Sequence, residues 1–283
     1  MSSQTFNIDV QLSSEEMLFL NDLLSLPDLP EGTSADREQD TETTQIRKTA
    51  GLNSLRARNL VQDDHAARRV VVDSLLLATL ITCGEARQAI LFAHSRIGRQ
   101  ENVACIHIHN IMAVVHRRER PKIDRFTAVF DRATLTELIQ KEMILESPGK
   151  GEDAFIEIHN EIVREAFQAL SNNDIETAIN CLAENGAQGS SAKLFCDSLL
   201  QPYSKMTVVA MSGDKHRDHQ QFRGLSLIDA PDGIWSLRPG SREGFTIIEH
   251  LAREEVYQRI NQVVQGFLIN WQGEENAASS SKY

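Results

Sequence analysis

The chain has 283 residues, of which 41% are hydrophobic and 24% are charged, values that are ordinary for a globular protein with a real hydrophobic core. Lys and Arg number 29 against 40 Asp and Glu, and the resulting net charge of −11 argues against nonspecific binding to nucleic acid or to an anionic membrane. No apolar run approaches the roughly 20 residues that cross a bilayer, and the amino terminus lacks a signal-peptide pattern, so we expect a cytoplasmic protein without membrane insertion. The 4 cysteines form no CxxC pair, which favours reduced thiols.

The first half of the chain is predicted to contain one strand, several helices and then four strands. Residues 6–12 alternate between apolar and polar side chains, and Ser13 with Glu16 has the form of a capping box that starts a helix. Residues 27–44 are rich in Asp, Glu, Thr and Pro and predict a mobile acidic loop. Further helices are predicted around residues 44–61, at 68–81, where Val71, Leu75, Leu76 and Ala78 can share a face, and at 133–145. Strands are predicted at 88–97, 103–109, 111–117 and 125–130.

The second half repeats this order. Alternation at Ile156 and Ile158 leads through Asn160 into a helix, and two short helices, four strand-like runs and a final helix from about Arg253 to Leu268 follow. Short turns between sequential strands require antiparallel pairing. We therefore predict an α+β protein of two pseudo-symmetric halves, each an antiparallel sheet packed with helices, at residues 1–150 and 151–270, with a disordered tail at 271–283.

With these patterns the chain resembles the EspG-type chaperones of type VII (ESX) secretion over nearly its whole length. The similarity lies in the order and spacing of "FNIDVQLSSEEMLFLNDLL", "SLRARNLV", "LAENGAQGSSAKLFCDSLL" and "GLSLIDAPDGIWSLRPGSREGFTIIEHL". The resemblance implies a non-enzymatic cytoplasmic chaperone or adaptor that covers an apolar tip of a helical client, either a PE–PPE-like heterodimer or an unrelated protein. It also implies a binding surface on the sheet and the carboxy-terminal helices. The sequence leaves the identity of the client and the oligomeric state open.

Cys105, His107 and His109 stand at alternate positions of a predicted strand, which is a spacing that a metal site could use. A fourth ligand such as His94 or His116 would then have to come from a neighbouring strand. The matching run of the second half, "GLSLID", keeps the apolar positions and has Ser226 where the first half has His107. The favoured interpretation is therefore a solvated outer face, with Ile106 and Ile108 on the core face, and no metal or other cofactor is expected.

The alternative function is a DNA-binding regulator that uses residues 45–69. Its pattern of a helix, a turn containing Gly51 and a basic helix is how a helix-turn-helix would look, and the basic residues outnumber the acidic ones. The basic residues are Arg47, Lys48, Arg56, Arg58, Arg68 and Arg69. The acidic net charge argues against nucleic acid, and the structural alternative is a basic helix face that pairs with the acidic loop before it.

The predicted partner-binding residues are distributed over both halves. Arg117 and Arg118 belong to a basic run that a solvated turn explains equally well, and Trp235 follows a Pro-Asp-Gly turn as either a core residue, which is favoured, or an exposed anchor. The full predicted set is His107, His109, Arg117, Arg118, Trp235 and Phe267. No catalytic motif of the serine hydrolase, phosphate-loop, dinucleotide or HExxH type is present, so no catalytic residue is predicted.

Overall fold

The structure is a computed structural model that describes residues 8–25, 41–99, 101–110, 112–120, 122–142, 145–147, 155–213 and 221–268. Its strands are β1 Ile8–Ser13, β2 Val61–Asp64, β3 Arg69–Val72, β4 Gln88–Arg96, β5 Asn102–His109, β6 Met112–Arg120, β7 Ile123–Val129, β8 Phe155–His159, β9 Ser204–Ser212, β10 Gln221–Ala230, β11 Gly233–Pro239 and β12 Phe245–Leu251. Its helices are α1 Ser14–Leu24, α2 Thr41–Ala57, α3 Ser74–Glu85, α4 Arg132–Glu142, α5 Asn160–Ser171, α6 Ile175–Glu184, α7 Gly189–Leu200 and α8 Arg253–Leu268.

The chain forms two compact units. The first comprises the described parts of Met1–Ala89 and Ala104–Glu137, and the second comprises the described parts of Ile90–Val103 and Leu138–Ile269. Most of β4 therefore belongs to the second unit, whereas the predicted boundary at residue 150 places this strand in the first half.

The two units share one strand order. The first has the antiparallel order β1-β7-β6-β5, and the second has the corresponding antiparallel order β8-β12-β11-β10, continued by β9 and then β4. Each order begins with the strand that leads directly into a helix, α1 or α5. The predicted α+β class with pseudo-symmetric halves is confirmed, because short connections leave sequential strands little choice but antiparallel pairing.

The segment between α2 and α3 differs from its prediction as part of a helix. Arg69–Val72 is a strand, and it pairs with Val61–Asp64 in a two-stranded antiparallel ribbon. A run of three valines favours the extended conformation. The helix starts only at Ser74, where the Asp73 carboxylate accepts hydrogen bonds from the amides of the first turn. Of the predicted face only Leu76 is buried, together with Leu80 and Cys83, whereas Val71, Leu75 and Ala78 are exposed.

Gly51 lies inside a helix and not in a turn. α2 runs without interruption from Thr41 to Ala57, so the predicted turn of a helix-turn-helix is wrong. A Cβ atom at Gly51 would overlap the backbone carbonyl of Glu15 in α1. The glycine is thus explained by close packing of two helices.

The predicted acidic loop extends too far at its carboxy-terminal end, since residues 41–44 belong to α2. Residues 27–40 of this predicted loop lie outside the described residues.

Candidate functional site

Helices cover only part of one sheet face in the second unit. The covered part holds Ile156, Ile158, Ile228, Trp235 and Ile248, which form one buried cluster with side chains of α5, α6 and α7. The strand register places further residues on the same face, beyond that cluster. These are Thr207, Val209 and Met211 of β9, opposite Ser226, Gly224 and Phe222 of β10. All six are half-buried or exposed, so this stretch of sheet is open to a partner.

The open stretch deepens into a cavity of about 560 Å³ beside α5, which we name the β9–β10 groove. Its apolar side chains include Val163 of α5, Val209 of β9 and Leu237 of β11, each of which is half-buried. Gly224 contributes to the depth because it has no side chain. Phe222 continues the apolar surface along β10 and is 58% exposed. The arrangement has the apolar lining and concave shape that are typical of binding sites.

The rim of the groove is fixed by the turn between β11 and β12. The Glu157 carboxylate accepts hydrogen bonds from the backbone N–H of Ser241 at 2.9 Å and from its hydroxyl at 2.7 Å. These hydrogen bonds hold the pKa of Glu157 below its ordinary value. The Arg242 guanidinium lies 4.0 Å from the centre of the Phe245 ring. The backbone N–H of Asn160 donates to the Gly244 carbonyl at 2.8 Å, which ties the turn to the start of α5.

His107 is fully buried, so its predicted place on a solvated outer face is wrong. It pairs with Val114, and Val114 belongs to the core that packs against α1, α2 and α3. Ile106 and Ile108, on the opposite face of β5, are also buried. Alternation marks an inside and an outside only where one face meets water, and here both faces of the strand are covered.

The buried histidines of the first unit do not assemble a metal site. The rings of His107 and His116 are 6.1 Å apart, and His116 stacks on Phe126 with its Nε2 atom 3.0 Å from Asp124 Oδ1. Across the described ranges no three or more His, Cys, Asp or Glu side chains are grouped so as to hold a metal ion. The ordinary packing and hydrogen bonding of histidine account for this cluster.

The other predicted partner residues have varied surroundings. Arg118 forms an ion pair with Asp124 at 3.2 Å, whereas Arg117 and His109 are half-buried. Phe267 is in the last turn of α8, where the side chain lies outside the described residues. Of the five predicted residues whose side chains the structure describes, none lines the β9–β10 groove.

Trp235 is a core residue, and the exposed-anchor alternative is wrong. Its ring is fully buried, stacks on His250 at 4.5 Å and contacts Phe195 edge-on at 5.1 Å. Its Nε1–H donates to Ser198 Oγ at 2.8 Å, and that hydroxyl donates in turn to the Asp232 carboxylate. The polar end of a buried indole is satisfied in this way.

The basic segment proposed for DNA binding is engaged in ion pairs within the first unit. Arg47, Lys48 and Arg58 pair with Glu15, Asp22 and Glu16 of α1, while Arg56 and Arg69 pair with Asp63 and Asp64 of β2, all at 2.6–3.4 Å. These carboxylates come from α1 and β2, while residues 27–40 of the predicted acidic loop lie outside the described residues. A basic surface that is neutralised in this manner gives no support to nucleic-acid binding.

The groove was not predicted from the sequence, although Gly224 gave a usable signal. A glycine inside a strand pattern often marks a place where another group approaches the backbone closely. The exposed Phe222 two positions earlier stands on the same face. Recognising the groove also required knowing how far α5 and α7 extend over the sheet, and sequence periodicity does not contain that information.

Among the helices of the described residues, none combines the length and apolar character that crossing a membrane requires.

The comparisons with known proteins find similarity among solved structures. No protein-family model matches the chain, and no curated protein matches its sequence. Among solved structures, the chain is similar to the Mycobacterium tuberculosis type VII secretion system chaperone EspG5, solved in complex with a PE25–PPE41 dimer. The match covers 91% of this chain and 96% of the other, with 14% identity and a TM-score of 0.65. A second structure, HtdX from M. tuberculosis, has a TM-score of only 0.18, which is too low to indicate a shared fold. The chain therefore has the fold of the type VII secretion chaperone EspG5, as its sequence resemblance implied.

Proposed function

We propose that this protein is a cytoplasmic secretion chaperone that holds a helical client protein and acts without catalysis. The observation that carries the proposal is the EspG5 fold over almost the full length of both chains. The structure of EspG5 contains a PE25–PPE41 dimer, so a PE–PPE-like helical protein is the proposed class of client.

The proposed client contact is the β9–β10 groove. An apolar end of a client helix would place side chains against Val163, Val209 and Leu237, while Phe222 would cover the adjoining surface. Burial of these side chains favours association by about 25 cal/mol for each Å² of apolar surface removed from water. A stable complex buries about 1,200–2,000 Å² in total, so the groove would be the centre of a larger interface.

The test begins with a client captured from native lysate by the tagged full chain and identified by mass spectrometry. The purified client must be helical by circular dichroism and must form a defined complex with the chain. Its affinity is then measured for Val209→Glu and Phe222→Glu, with Ile97→Glu as the matched control, because Ile97 is exposed but lies outside the groove.

We expect each groove variant to weaken binding by about tenfold or more, since a charge would be buried in an apolar contact, and the control to stay within about twofold. Capture of no helical client, or equal affinities of groove and control variants for it, would contradict the proposal.

A further inference from the structure

A second hollow lies on the opposite face of the same sheet, beside α8. It has a volume of about 190 Å³, and it is lined by Arg223, Leu225, Arg238, Arg259, Gln262 and Val263. Leu225 pairs with Val208 on this face, which α8 covers with the buried side chains of Val256 and Ile260. The hollow and the β9–β10 groove thus open on opposite faces of the sheet, and Gly224, Leu225 and Arg238 line both.

Within the part of the chain that the structure describes, Glu249 is the one carboxylate paired with the arginines of this hollow. Glu249 is buried and accepts hydrogen bonds from Arg238 Nη2 at 2.8 Å and Arg238 Nε at 3.2 Å, and from Arg259 Nη2 at 3.2 Å. Arg223 is exposed and forms no ion pair with any residue in the described ranges. Counted over the described residues, three guanidinium charges against one carboxylate leave a local charge of about +2, in a chain whose net charge is −11.

The guanidinium groups keep donors for a ligand. The side chains of Arg238 and Arg259 are 30% and 36% exposed, and each guanidinium has five N–H donors, of which Glu249 uses only some. Glu249 fixes the position of two of the groups, so less side-chain entropy is lost when a ligand binds them. Leu225 and Val263 supply an apolar wall next to these donors.

We propose that this hollow binds a carboxylate side chain of an acidic, partly apolar segment of a protein partner. Arginine forks match carboxylate geometry and form two parallel hydrogen bonds with it. The apolar wall fits a segment in which acidic and apolar residues alternate, and the acidic charge of the whole chain disfavours nucleic acid. Arg223 and Arg259, which carry this proposal, do not line the groove, so the proposal does not depend on the proposed function.

The test uses the full chain and a labelled, capped peptide with three Glu-Leu repeats, and it measures binding by fluorescence polarisation. The comparison peptide has Gln in place of every Glu. Arg223→Gln and Arg259→Gln remove donors from the hollow, and Arg164→Gln is the control because Arg164 is an exposed arginine of α5 outside the hollow. Arg223→Gln breaks no ion pair of the described residues, so it stays informative if Arg259→Gln reduces stability.

We expect the acidic peptide to bind with an affinity that falls as salt rises from about 50 to about 300 mM, and Arg223→Gln to weaken binding by about tenfold. The Arg164→Gln control should stay within about twofold, and Val209→Glu in the groove should leave binding of this peptide unchanged. Equal binding of the Gln peptide, or equal affinities of Arg223→Gln and Arg164→Gln, would overturn the proposal. Displacement of the peptide by inorganic phosphate at equal concentration would show a general anion site and would also overturn it.

Discussion

Arg58 Nη1 lies 2.8 Å from both carboxylate oxygens of Glu16, a side chain that is buried where α1 meets α2. The same carboxylate accepts hydrogen bonds from Ser54 Oγ at 2.8 Å and from the backbone N–H of Ser13 at 2.8 Å, which completes the capping box of α1. One acidic side chain therefore starts a helix and joins it to the next.

Removal of this ion pair should destabilise the protein. We expect Arg58→Met to lower the free energy of unfolding by about 2–3 kcal/mol, because Glu16 would remain buried with its charge uncompensated. We expect a smaller loss of stability than for a fully buried ion pair, because the Arg58 side chain is 39% exposed. Urea denaturation measures the effect. Arg69→Met, which removes an exposed ion pair with Asp64, serves as the control and should change it by about 0.5 kcal/mol or less.

Alanine should have different effects at two glycines. In a helix interior, Gly→Ala ordinarily stabilises by about 0.5–1 kcal/mol. At Gly51 the added Cβ overlaps the Glu15 carbonyl, so we expect Gly51→Ala to lower the free energy of unfolding by about 1–3 kcal/mol. At Gly224 the nearest atoms would be 3.8 Å from the new Cβ, and we expect a change of less than about 1 kcal/mol. A more stable Gly51→Ala protein would contradict the close packing of α1 and α2.

Trp235→Phe should affect stability and not partner binding. The substitution removes the indole N–H that donates to Ser198 Oγ and reduces the ring that packs on His250. We expect a loss of about 1–3 kcal/mol in thermal or urea unfolding, since a buried hydrogen bond and apolar volume are lost together. Tyr203→Phe, at an exposed ring, provides the control. If Trp235→Phe weakened client binding at a temperature where the protein stays folded, the core assignment of Trp235 would be wrong.

Glu249 should stabilise the folded protein at neutral pH and lose this effect in acid. Burial acts to raise the pKa of Glu249, but the hydrogen bond and charge of Arg238 and the charge of Arg259 outweigh it and hold the pKa below the ordinary 4.5. A lowered pKa stabilises the folded state above the unfolded value and loses that contribution as pH falls through the folded value. The difference in unfolding free energy between wild type and Glu249→Gln should therefore be largest at neutral pH and become smaller below about pH 4.5.

Asp229, in the same unit, should affect stability in the opposite direction as pH changes. Burial raises the pKa of Asp229 above the ordinary 3.8, although its carboxylate accepts hydrogen bonds from the amides of Glu146 and Ser147. The stability that wild type has relative to Asp229→Asn should be greatest below pH 3.8 and fall as pH rises through the raised pKa. Both differences come from urea titrations at a series of pH values, and the same direction in the two variants would refute the assigned shifts.

The sequence alone determined the class and the order of elements. Alternation in β8 and the capping box at Ser13 depend on neighbours within a few residues, and periodicity reports such local relationships directly. The antiparallel pairing follows from short connections, and the internal repeat follows from comparing the two halves. These local rules predicted the strands other than β2 and β3 and most helices within a few residues, and they supported the resemblance to EspG-type chaperones.

Local patterns failed where a residue's role depends on what packs against it. His107 alternates like a surface residue but is buried, because the face it shares with Val114 is covered by helices. Gly51 was predicted to lie in a turn, because glycine is common in turns. It lies inside a helix instead, and its close packing against Glu15 explains why a glycine stands there.

The candidate site was decided entirely by tertiary structure. The β9–β10 groove exists because α5 and α7 end their cover before they reach Val209 and Phe222. The arginine hollow exists because β10, β11 and α8 bring together Arg223, Arg238 and Arg259, which are far apart in the chain. Short-range preferences set which residues become strands and helices, whereas exposure depends on contacts between residues distant in sequence, and only the packed structure fixes those contacts.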